Sequence, residues 1–466
     1  MSTWFHWVRV FGISITGSLF LAMAASADTF IVDSTLDQVD DDTSDGVCHT
    51  ATGTCTLRAA VMQANLILGA EARIVLPAGT YSLTIPGSGA DGDDSGDLNF
   101  TTPASGHPVL LIDGAGRSST VIDANLHSRI LRVHLGRTAS LSDLTLRNGN
   151  VSLEDGGGIS NRGELFLTRC MVSGNAGGRG GGIANFRDLY LNDCTISGNT
   201  SELQGGGIYS DFFAYLERTE ILSNVASSDG GGIAYRGTLH TTASTIAQNT
   251  AHVDGGGIYS SESMGEDLTL INTTIYLNDA DRNGGGIYFG SLSPFNANVF
   301  SSTIAFNGAD ADADQGGGNG GGIYVAAGSG FHLRNTLVVG NTLFNQPIYE
   351  ECWGTLNSYG RNLFWEPGGA CAIVTQTGSF GVLNGLDGLG PLQKNGGSTR
   401  TVALLPGSNA IDGGDPDLGC IGPDLFPFAT DQRSAARVFG VRCDLGAYEA
   451  GTLFFDGFES GDLSAW

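Results

Sequence analysis

The sequence predicts an all-β fold, a right-handed parallel β-helix with coils of about 25 residues, from three observations. A Gly-Gly-Gly-Ile motif recurs at steps of 24, 25, 25, 25, 29 and 36 residues, with its isoleucines at Ile159, Ile183, Ile208, Ile233, Ile258, Ile287 and Ile323. An asparagine motif keeps pace at steps of 25, 24, 25, 25, 29, 29 and 34 residues: Asn150, Asn175, Asn199, Asn224, Asn249, Asn278, Asn307 and Asn341. Glycine makes up 72 of 466 residues, and the repeats lack the 3.6-residue period of helices.

The residues before each asparagine alternate as they do in strands. The positions three and eight residues before it are mostly aliphatic, which predicts two inward rows in a stacked core. A row of small residues, five before the asparagine, predicts a tight corner between two sheets: Thr145, Cys170, Cys194, Thr219, Ser244, Thr273, Ser302 and Thr336. The asparagine side chains can form hydrogen bonds with one another across coils about 4.8 Å apart, which predicts an asparagine ladder. Residues 71–345 are predicted to form a solenoid of roughly ten coils.

The first 27 residues have the composition of a secretory signal peptide. Arg9 is their one Lys or Arg, an apolar run extends from residue 10 to 25, and Ala25-Ser26-Ala27 provides a small-x-small cleavage pattern. A membrane anchor is the alternative, but the apolar run is short and interrupted by polar residues. We therefore predict an exported protein that begins at Asp28, is extracellular or on the outer cell surface, and has no transmembrane segment after cleavage.

Charge and cysteine content narrow the class of partner and the compartment. A formal charge of −26 repels phosphate backbones, so the composition excludes nucleic acid as a partner. The eight cysteines fall into pairs along the chain, and an even number in an exported protein predicts disulfides. The pairs are Cys48 with Cys55, Cys352 with Cys371, Cys420 with Cys443, and Cys170 with Cys194, the last of which could equally be two stacked thiols.

Three segments carry family resemblances. The repeats of residues 141–345 resemble those of chlamydial-type polymorphic outer-membrane proteins, which implies a β-helix displayed outside the cell, often with an adhesive role. The segment Cys55-Thr56-Leu57-Arg58-Ala59-Ala60-Val61 resembles the CSLREA motif of exported β-helix proteins, with Thr56 and Ala59 departing from its Ser and Glu. We expect residues 28–70 to form an N-terminal cap, with a short helix from Leu57 to Leu68.

The C-terminal part resembles the choice-of-anchor Q domain, a module of surface-associated bacterial proteins with no implied catalytic role. The match lies within residues 346–450, which we assign to further coils and this module, and it includes Asp431-Gln432-Arg433 and Cys443-Asp444-Leu445-Gly446-Ala447-Tyr448-Glu449. Residues 451–466 look like a C-terminal sorting tail of exported proteins from Gram-negative bacteria.

A polar row lies immediately before the glycine triplets, and it contains the candidate metal site. Asp229 and Asp254 occupy this row in adjacent coils, where like charges at one strand spacing are unfavourable without an intervening cation or water. The sequence therefore predicts no cofactor other than Ca²⁺, for which these two carboxylates are the candidate ligands.

The candidate ligand-binding residues follow the motif isoleucines. If each isoleucine points inward, the next residue points outward, which places Tyr209, Tyr259, Tyr288 and Tyr324 on the surface. Consecutive exposed tyrosines can stack on sugar rings or anchor a protein partner. Tyrosines packed under the loops of neighbouring coils are the structural alternative.

These observations favour a secreted or surface-displayed binding and adhesion protein, with glycans or host and cell-surface components as partners. The fold class also hosts polysaccharide lyases and glycoside hydrolases, which keeps an enzyme as the second hypothesis. The residue series typical of polygalacturonases is missing, and Lys394 lies outside the repeats, so an enzyme is disfavoured. A structural cell-envelope protein is the third hypothesis.

Overall fold

The computed structural model describes residues 28–67, 71–87, 96–101, 109–260, 267–290, 296–312, 317–344, 348–365, 370–375, 380–382, 388–415, 420, 428–437 and 440–451. It is an all-β parallel solenoid of about nine turns with almost no helix, which confirms the predicted class of fold. Ten strands of its twelve-stranded sheet lie between residues 71 and 345, in agreement with the predicted number of coils. The predicted signal peptide (1–27) and all but residue 451 of the predicted tail (451–466) lie outside the described residues.

Each complete coil contains four kinds of strand, which we name by position. The motif strand begins at the motif isoleucine, the long strand follows it, the ladder strand precedes the ladder asparagine, and the short strand comes after that asparagine. Motif and long strands together form a 22-stranded sheet, ladder strands a 12-stranded sheet and short strands an 8-stranded sheet. Pairing is parallel and in register throughout the repeats, for example Ile183 with Ile208.

The strands of the 22-stranded sheet have the following bounds. The motif strands are Leu98–Phe100, Leu131–Val133, Ile159–Asn161, Ile183–Asn185, Ile208–Ser210, Ile233–Tyr235, Ile258–Ser260, Ile287–Phe289 and Ile323–Val325. The long strands are Asp28–Ile31, Glu71–Leu76, Val109–Gly114, Thr138–Ser142, Glu164–Thr168, Asp188–Asn192, Phe213–Glu217, Thr238–Thr242, Asp267–Ile271, Asn296–Phe300, Gly330–Arg334, Cys352–Ser358 and Cys371–Thr375.

The other two sheets and a C-terminal hairpin complete the strand set. The ladder strands are Gly79–Ser82, Thr120–Asp123, Thr145–Arg147, Met171–Ser173, Thr195–Ser197, Glu220–Leu222, Thr245–Ala247, Thr274–Tyr276, Thr303–Ala305, Leu337–Val339, Asn362–Phe364 and Phe380–Val382. The short strands are Ala176–Gly177, Thr200–Ser201, Val225–Ala226, Thr250–Ala251, Asp279–Ala280, Gly308–Ala309, Thr342–Leu343 and Ile348–Tyr349. Leu389–Gln393 and Thr401–Leu404 pair as an antiparallel hairpin.

The predicted inward rows form the core. All seven motif isoleucines are completely buried, and so are the aliphatic residues three before each ladder asparagine, from Val172 to Val338. Strand alternation explains this arrangement, because every second side chain of a parallel strand points to the same face.

The asparagine ladder begins one coil later than the sequence suggests. From Asn175 to Asn341, each side-chain amide donates to the Oδ1 of the next asparagine at 2.9–3.0 Å. Asn150 is exposed and outside the ladder, because the pairing of Arg147 with Ser173 aligns Gly149 with Asn175. The assignment of Asn150, and with it Thr145, to the repeat rows was therefore wrong by one residue.

The small-residue row lies at a corner, as predicted, and the structure supplies the reason. The residue before each small residue has a left-handed backbone, with φ between 44° and 53° from Arg169 to Asn335. The small side chain then donates to the carbonyl two residues earlier, as Ser302 Oγ does to Phe300 O at 2.8 Å. A larger side chain would leave that carbonyl without its partner in a buried turn.

Three of the four cysteine pairs form disulfides. Cys48–Cys55, Cys352–Cys371 and Cys420–Cys443 are bonded, with Cα–Cα distances of 5.1, 5.1 and 6.0 Å. Cys170 and Cys194 are buried free thiols, so the alternative of stacked thiols holds for this pair. Their sulfurs contact the same turn carbonyls as the hydroxyls of the row, Thr168 O at 3.5 Å and Asn192 O at 3.3 Å.

We expect Cys170 and Cys194 to be unreactive in the folded protein. Burial raises the pKa of both thiols, that of Cys194 to about 12, so the nucleophilic thiolate is scarce at pH 8. A thiol-reactive disulfide reagent should label neither cysteine in the native protein and both after unfolding in guanidinium chloride. Rapid labelling without denaturant, or no labelling after unfolding, would contradict this assignment.

One helix, Leu57–Ala64, lies among the described residues. The Thr56 hydroxyl begins it by accepting from Ala59 N at 3.2 Å. The helix ends at Ala64, so the predicted helix was too long by residues 65–67. Leu68, its predicted last residue, lies outside the described residues. In the part of the chain that the structure describes, no helix is long and apolar enough to cross a membrane.

The C-terminal segment, which we define as the described residues from 388 to 451, packs on the outer face of the ladder strands. Leu404, Ala410 and Leu445 form an apolar cluster with outward residues of the last ladder strands, among them Ala305 and Leu337. Gln432 is buried and donates to Ser244 O at 3.0 Å, while Thr274 Oγ1 donates to its side-chain oxygen at 2.6 Å. The segment therefore folds back over the solenoid instead of following it as a separate module.

Candidate functional site

The outward tyrosines of the motif strands are stacked on one another. Tyr259, Tyr288 and Tyr324 are in register, and their ring centroids are 5.1 and 4.9 Å apart with nearly parallel planes. Trp353 pairs in register with Tyr324 and continues the column. Stacked rings turn their faces toward each other, so this column offers mainly ring edges to solvent.

The predicted exposure of this tyrosine row was wrong. Tyr209 is 1% and Tyr288 is 7% exposed, and Tyr259 and Tyr324 are half-buried. The glycine turn preceding each motif strand lies against the outward residue: a Cβ added to Gly255, at φ 70°, would be 2.7 Å from the Cβ of Tyr259. The alternative from the sequence, tyrosines packed under neighbouring turns, describes the row better.

Tyr209 lies apart from the stack, because Ala234 occupies the position between it and Tyr259. Its hydroxyl donates to Asp211 Oδ1 at 2.6 Å and accepts from the Arg179 guanidinium at 3.0 Å. That guanidinium also lies 4.6 Å from the centre of the Tyr209 ring. Tyr209 is therefore part of a buried polar network and does not offer a ring face to a ligand.

A different set of aromatic side chains lies on the outer face of the long strands, and we call Phe166, Tyr190, Phe213 and Tyr215 the aromatic patch. Phe166, Tyr190 and Tyr215 occupy one outward column of three successive coils, and Phe213 lies two residues before Tyr215 on the same strand. Each of the four is partly exposed.

The rings of the patch are stacked in one pair and tilted in another. Phe166 and Tyr190 are stacked with centroids 4.6 Å apart, but Tyr190 and Phe213 are tilted by 52° at 5.6 Å. The adjacent Phe212 is 54% exposed, with the Arg187 guanidinium 5.8 Å from its ring centre. Tilted rings at one surface suit the apolar faces of a flat cyclic ligand.

Polar groups surround the patch. Glu164 and Asp188 lie in register next to it on the long strands. Burial raises the pKa of the Tyr190 and Tyr215 phenols, so both hydroxyls keep their protons at neutral pH and can donate hydrogen bonds. The patch thus combines partly exposed rings with hydroxyl donors and carboxylate acceptors, the groups that recognise polyhydroxylated rings.

The aromatic patch was not predicted, although the sequence contains its pattern. Leu216 lies eight residues before Asn224, in a row predicted to point inward, and strand alternation around it places Phe213 and Tyr215 outward. The residues one before this inward row include Phe166, Tyr190 and Tyr215, which precede leucines, and His240, which precedes Thr241.

The two candidate metal ligands have protein partners. Asp229 accepts from Gln204 Nε2 at 2.9 Å and from Asp254 N at 3.3 Å. Asp254 accepts from the Arg282 guanidinium at 2.6 Å and from Asn283 Nδ2 at 2.9 Å. Hydrogen-bond donors from adjacent coils thus occupy the positions at which a cation was predicted. Both carboxylates belong to a second column of polar side chains that are hydrogen-bonded from coil to coil.

Among the described residues, one other group has the composition of a metal site, Asp40, Asp41 and His49 near the N-terminal helix. Asp40 accepts from Gln63 Nε2 at 3.1 Å and from His49 N at 3.2 Å. These contacts tie the loop that carries the Cys48–Cys55 disulfide to the helix, which is a structural role.

The comparisons with known proteins agree with the coil geometry. Residues 193–211 match the model of the Chlamydia polymorphic membrane protein repeat. That stretch spans the left-handed corner at Asp193, the ladder residue Asn199, the glycine triplet and the motif strand Ile208–Ser210, which is most of one coil. No curated protein and no solved structure matches the chain at a significant level.

These findings define a class of protein, a parallel β-solenoid with a polymorphic-membrane-protein-like repeat. The repeat and the fold together indicate a surface or outer-membrane-associated protein.

Proposed function

We propose that this protein is exported through residues 1–27 and acts as a surface-displayed or secreted adhesin that binds glycans at the aromatic patch. The single observation that carries the proposal is the cluster of four partly exposed aromatic rings on one sheet face, in which Phe213 is tilted by 52° to Tyr190. A parallel sheet holds these rings at fixed spacing, so a sugar would lose less freedom on binding than it would on mobile loops.

The tyrosine stack of the motif strands is the weaker candidate for the same ligand class. Its burial and its edge-on presentation leave less ring face for stacking than the patch offers. A role for Tyr259 and Tyr324 in binding therefore rests on their half-exposed edges and on the neighbouring Trp353.

We expect the triple variant Tyr190→Ala, Phe213→Ala and Tyr215→Ala to lose glycan binding. The best ligand from a glycan array would be titrated against parent and variant, and affinity should fall at least about tenfold, because stacking contacts of about 0.5–1.5 kcal/mol each are removed. Trp353→Ala is the matched control, since it removes a partly exposed ring from the other column.

The outcomes separate the two columns. Loss of binding in the triple variant alone supports the patch, and loss in Trp353→Ala alone assigns the ligand to the tyrosine stack. A parent protein that binds no glycan, or a folded triple variant with parental affinity, would refute the proposal. The single variant Tyr215→Ala replaces the triple one if the latter shows a lowered thermal midpoint.

We also propose that residues 28–67 cap the N-terminal end of the solenoid. Leu57, Val61 and Ala64 of the helix belong to the same buried apolar cluster as Ile74 of the first full coil. Arg58 forms a buried ion pair with Asp37 at 2.6 Å. An uncovered first coil would expose strand edges and core side chains, and capping segments prevent this in solenoids.

A further inference from the structure

The C-terminal segment covers only part of the ladder-strand face, and its edge creates a groove. Thr245 Oγ1 donates to Arg400 O at 2.6 Å, and Arg400 N donates to the Glu220 carboxylate at 2.9 Å, so the contact of the segment begins at the coil of Glu220. The outward side chains of the two preceding ladder strands, Met171–Ser173 and Thr195–Ser197, are partly exposed among the described residues. A groove of about 430 Å³ lies between these strands and the hairpin.

The floor of the groove is flat and partly polar. It consists of outward side chains of three successive ladder strands, including Thr195, Ser197 and Leu222. The hydroxyls of Thr195 and Ser197 can donate and accept hydrogen bonds along the floor. A regular parallel sheet of this kind supports an extended, repeating ligand, because equivalent groups recur at each coil.

Positive charge is concentrated on the walls. Arg117 and Lys394, both exposed, and Arg400 line the groove, and among the described residues Glu220 is the one acidic residue that lines it. Lys394 is the single lysine of a chain that carries 22 basic against 48 acidic residues. Three cations and one anion give the described lining of the groove a net charge of 3 − 1 = +2 on a molecule of charge −26.

Glu220 is engaged with the wall and does not neutralise the whole groove. Its carboxylate accepts from Arg400 N at 2.9 Å, and the Arg400 guanidinium lies 3.9 Å from the same oxygen. Glu220 itself is buried, whereas Arg117 and Lys394 extend into solvent. The two exposed cations therefore remain available to an anionic ligand.

We propose that this groove binds an anionic oligosaccharide, one that bears carboxylate or sulfate groups at intervals along a chain of sugar rings. The hydroxyl-bearing floor matches the hydroxyls of the sugars, and the wall cations match the acidic groups. The strongly negative remainder of the protein repels a densely charged polyanion, which favours a ligand with one charge per ring or fewer. The groove and the aromatic patch are separate sites, so either one can bind its ligand without the other.

The test is titration of the mature protein with three probes: oligogalacturonate for carboxylates, a κ-carrageenan-derived hexasaccharide for sulfates at one charge per ring or fewer, and a neutral glucan of equal length. The double variant Arg117→Gln and Lys394→Gln should weaken binding of an acidic probe at least tenfold and flatten its salt dependence. Glu220→Gln should tighten binding, because it removes the one anion of the groove and keeps an acceptor for Arg400 N.

The control is Arg73→Gln with Arg442→Gln, which changes the net charge equally but lies outside the groove lining. Whichever acidic probe has the higher affinity shows whether the ligand carries carboxylate or sulfate groups. The proposal is wrong if neither acidic probe binds at 50 mM salt. It is also wrong if the double variant and the control have the same affinity for the acidic probe. If poly-glutamate binds as tightly as the acidic oligosaccharides, the assignment of the ligand as a glycan is wrong. The patch variant Tyr190→Ala, Phe213→Ala and Tyr215→Ala should retain acidic-probe binding, which separates this test from that of the aromatic patch.

Discussion

We expect Arg437→Met to destabilise the docking of the C-terminal segment by about 3–5 kcal/mol, the range for removing one partner of a buried ion pair. Arg437 is completely buried and donates to Asn272 Oδ1 at 2.7 Å, Ser301 O at 3.1 Å and Gly446 O at 2.7 Å. Its guanidinium also lies 3.7 Å from the Glu449 carboxylate. Methionine keeps much of the bulk, so the loss comes from orphaned polar groups.

Denaturant titration followed by tryptophan fluorescence measures this effect. Trp365 packs against the apolar cluster between the C-terminal segment and the solenoid, so its emission should report undocking before the coils unfold. Arg442→Gln, a partly exposed arginine five residues further on, is the control and should change stability by about 0.5 kcal/mol or less. Equal midpoints for Arg437→Met and the parent would show that the segment is not held as described.

A second large effect is expected at the N-terminal end. Arg58→Met should lower the free energy of unfolding by about 3–5 kcal/mol, because Asp37 would keep a buried charge without its cation. The Arg58 guanidinium also donates to Gly96 O at 2.8 Å, and Asp37 accepts from the backbone of Thr84 at 2.7 Å. The pair thus joins the helix, the preceding loop and the first coils.

Hydrogen exchange of residues 28–67, together with urea unfolding, measures this change. We expect Arg58→Met to speed exchange in the cap first and to raise the tendency to aggregate, if the cap covers the strand edges of the first coil. Arg73→Gln removes the exposed ion pair with Asp113 and should cost about 1 kcal/mol or less. An Arg58→Met protein with parental exchange rates would refute the proposed cap.

Much of the fold could be predicted because equivalent residues make the same contacts in every coil. The motif isoleucines and the small corner residues occupy equivalent environments in every turn, so one pattern determines many positions. The error at Asn150 arose at the edge of this regularity, where the ladder position is Gly149, and its backbone N–H donates to Asn175 Oδ1 at 2.7 Å.

The candidate site was less predictable, because alternation states which side chains point outward and not which of them reach solvent. Tyr288 and Tyr215 are both outward residues of adjacent strand rows, yet Tyr288 is buried and Tyr215 is partly exposed. The difference comes from the glycine turns that lie against the motif strands and from the ring stacking within that column.

The sequence by itself determined the solenoid, its inward rows and its asparagine ladder, because these depend on contacts between equivalent residues one coil apart. Only the tertiary structure decided where ligands can reach the surface. Gln432 and Arg437 contact ladder-strand coils more than 130 residues earlier, and no periodic signal encodes that return. The groove, its positive charge and the exposure of the aromatic patch therefore depend on contacts between segments that are far apart in the sequence.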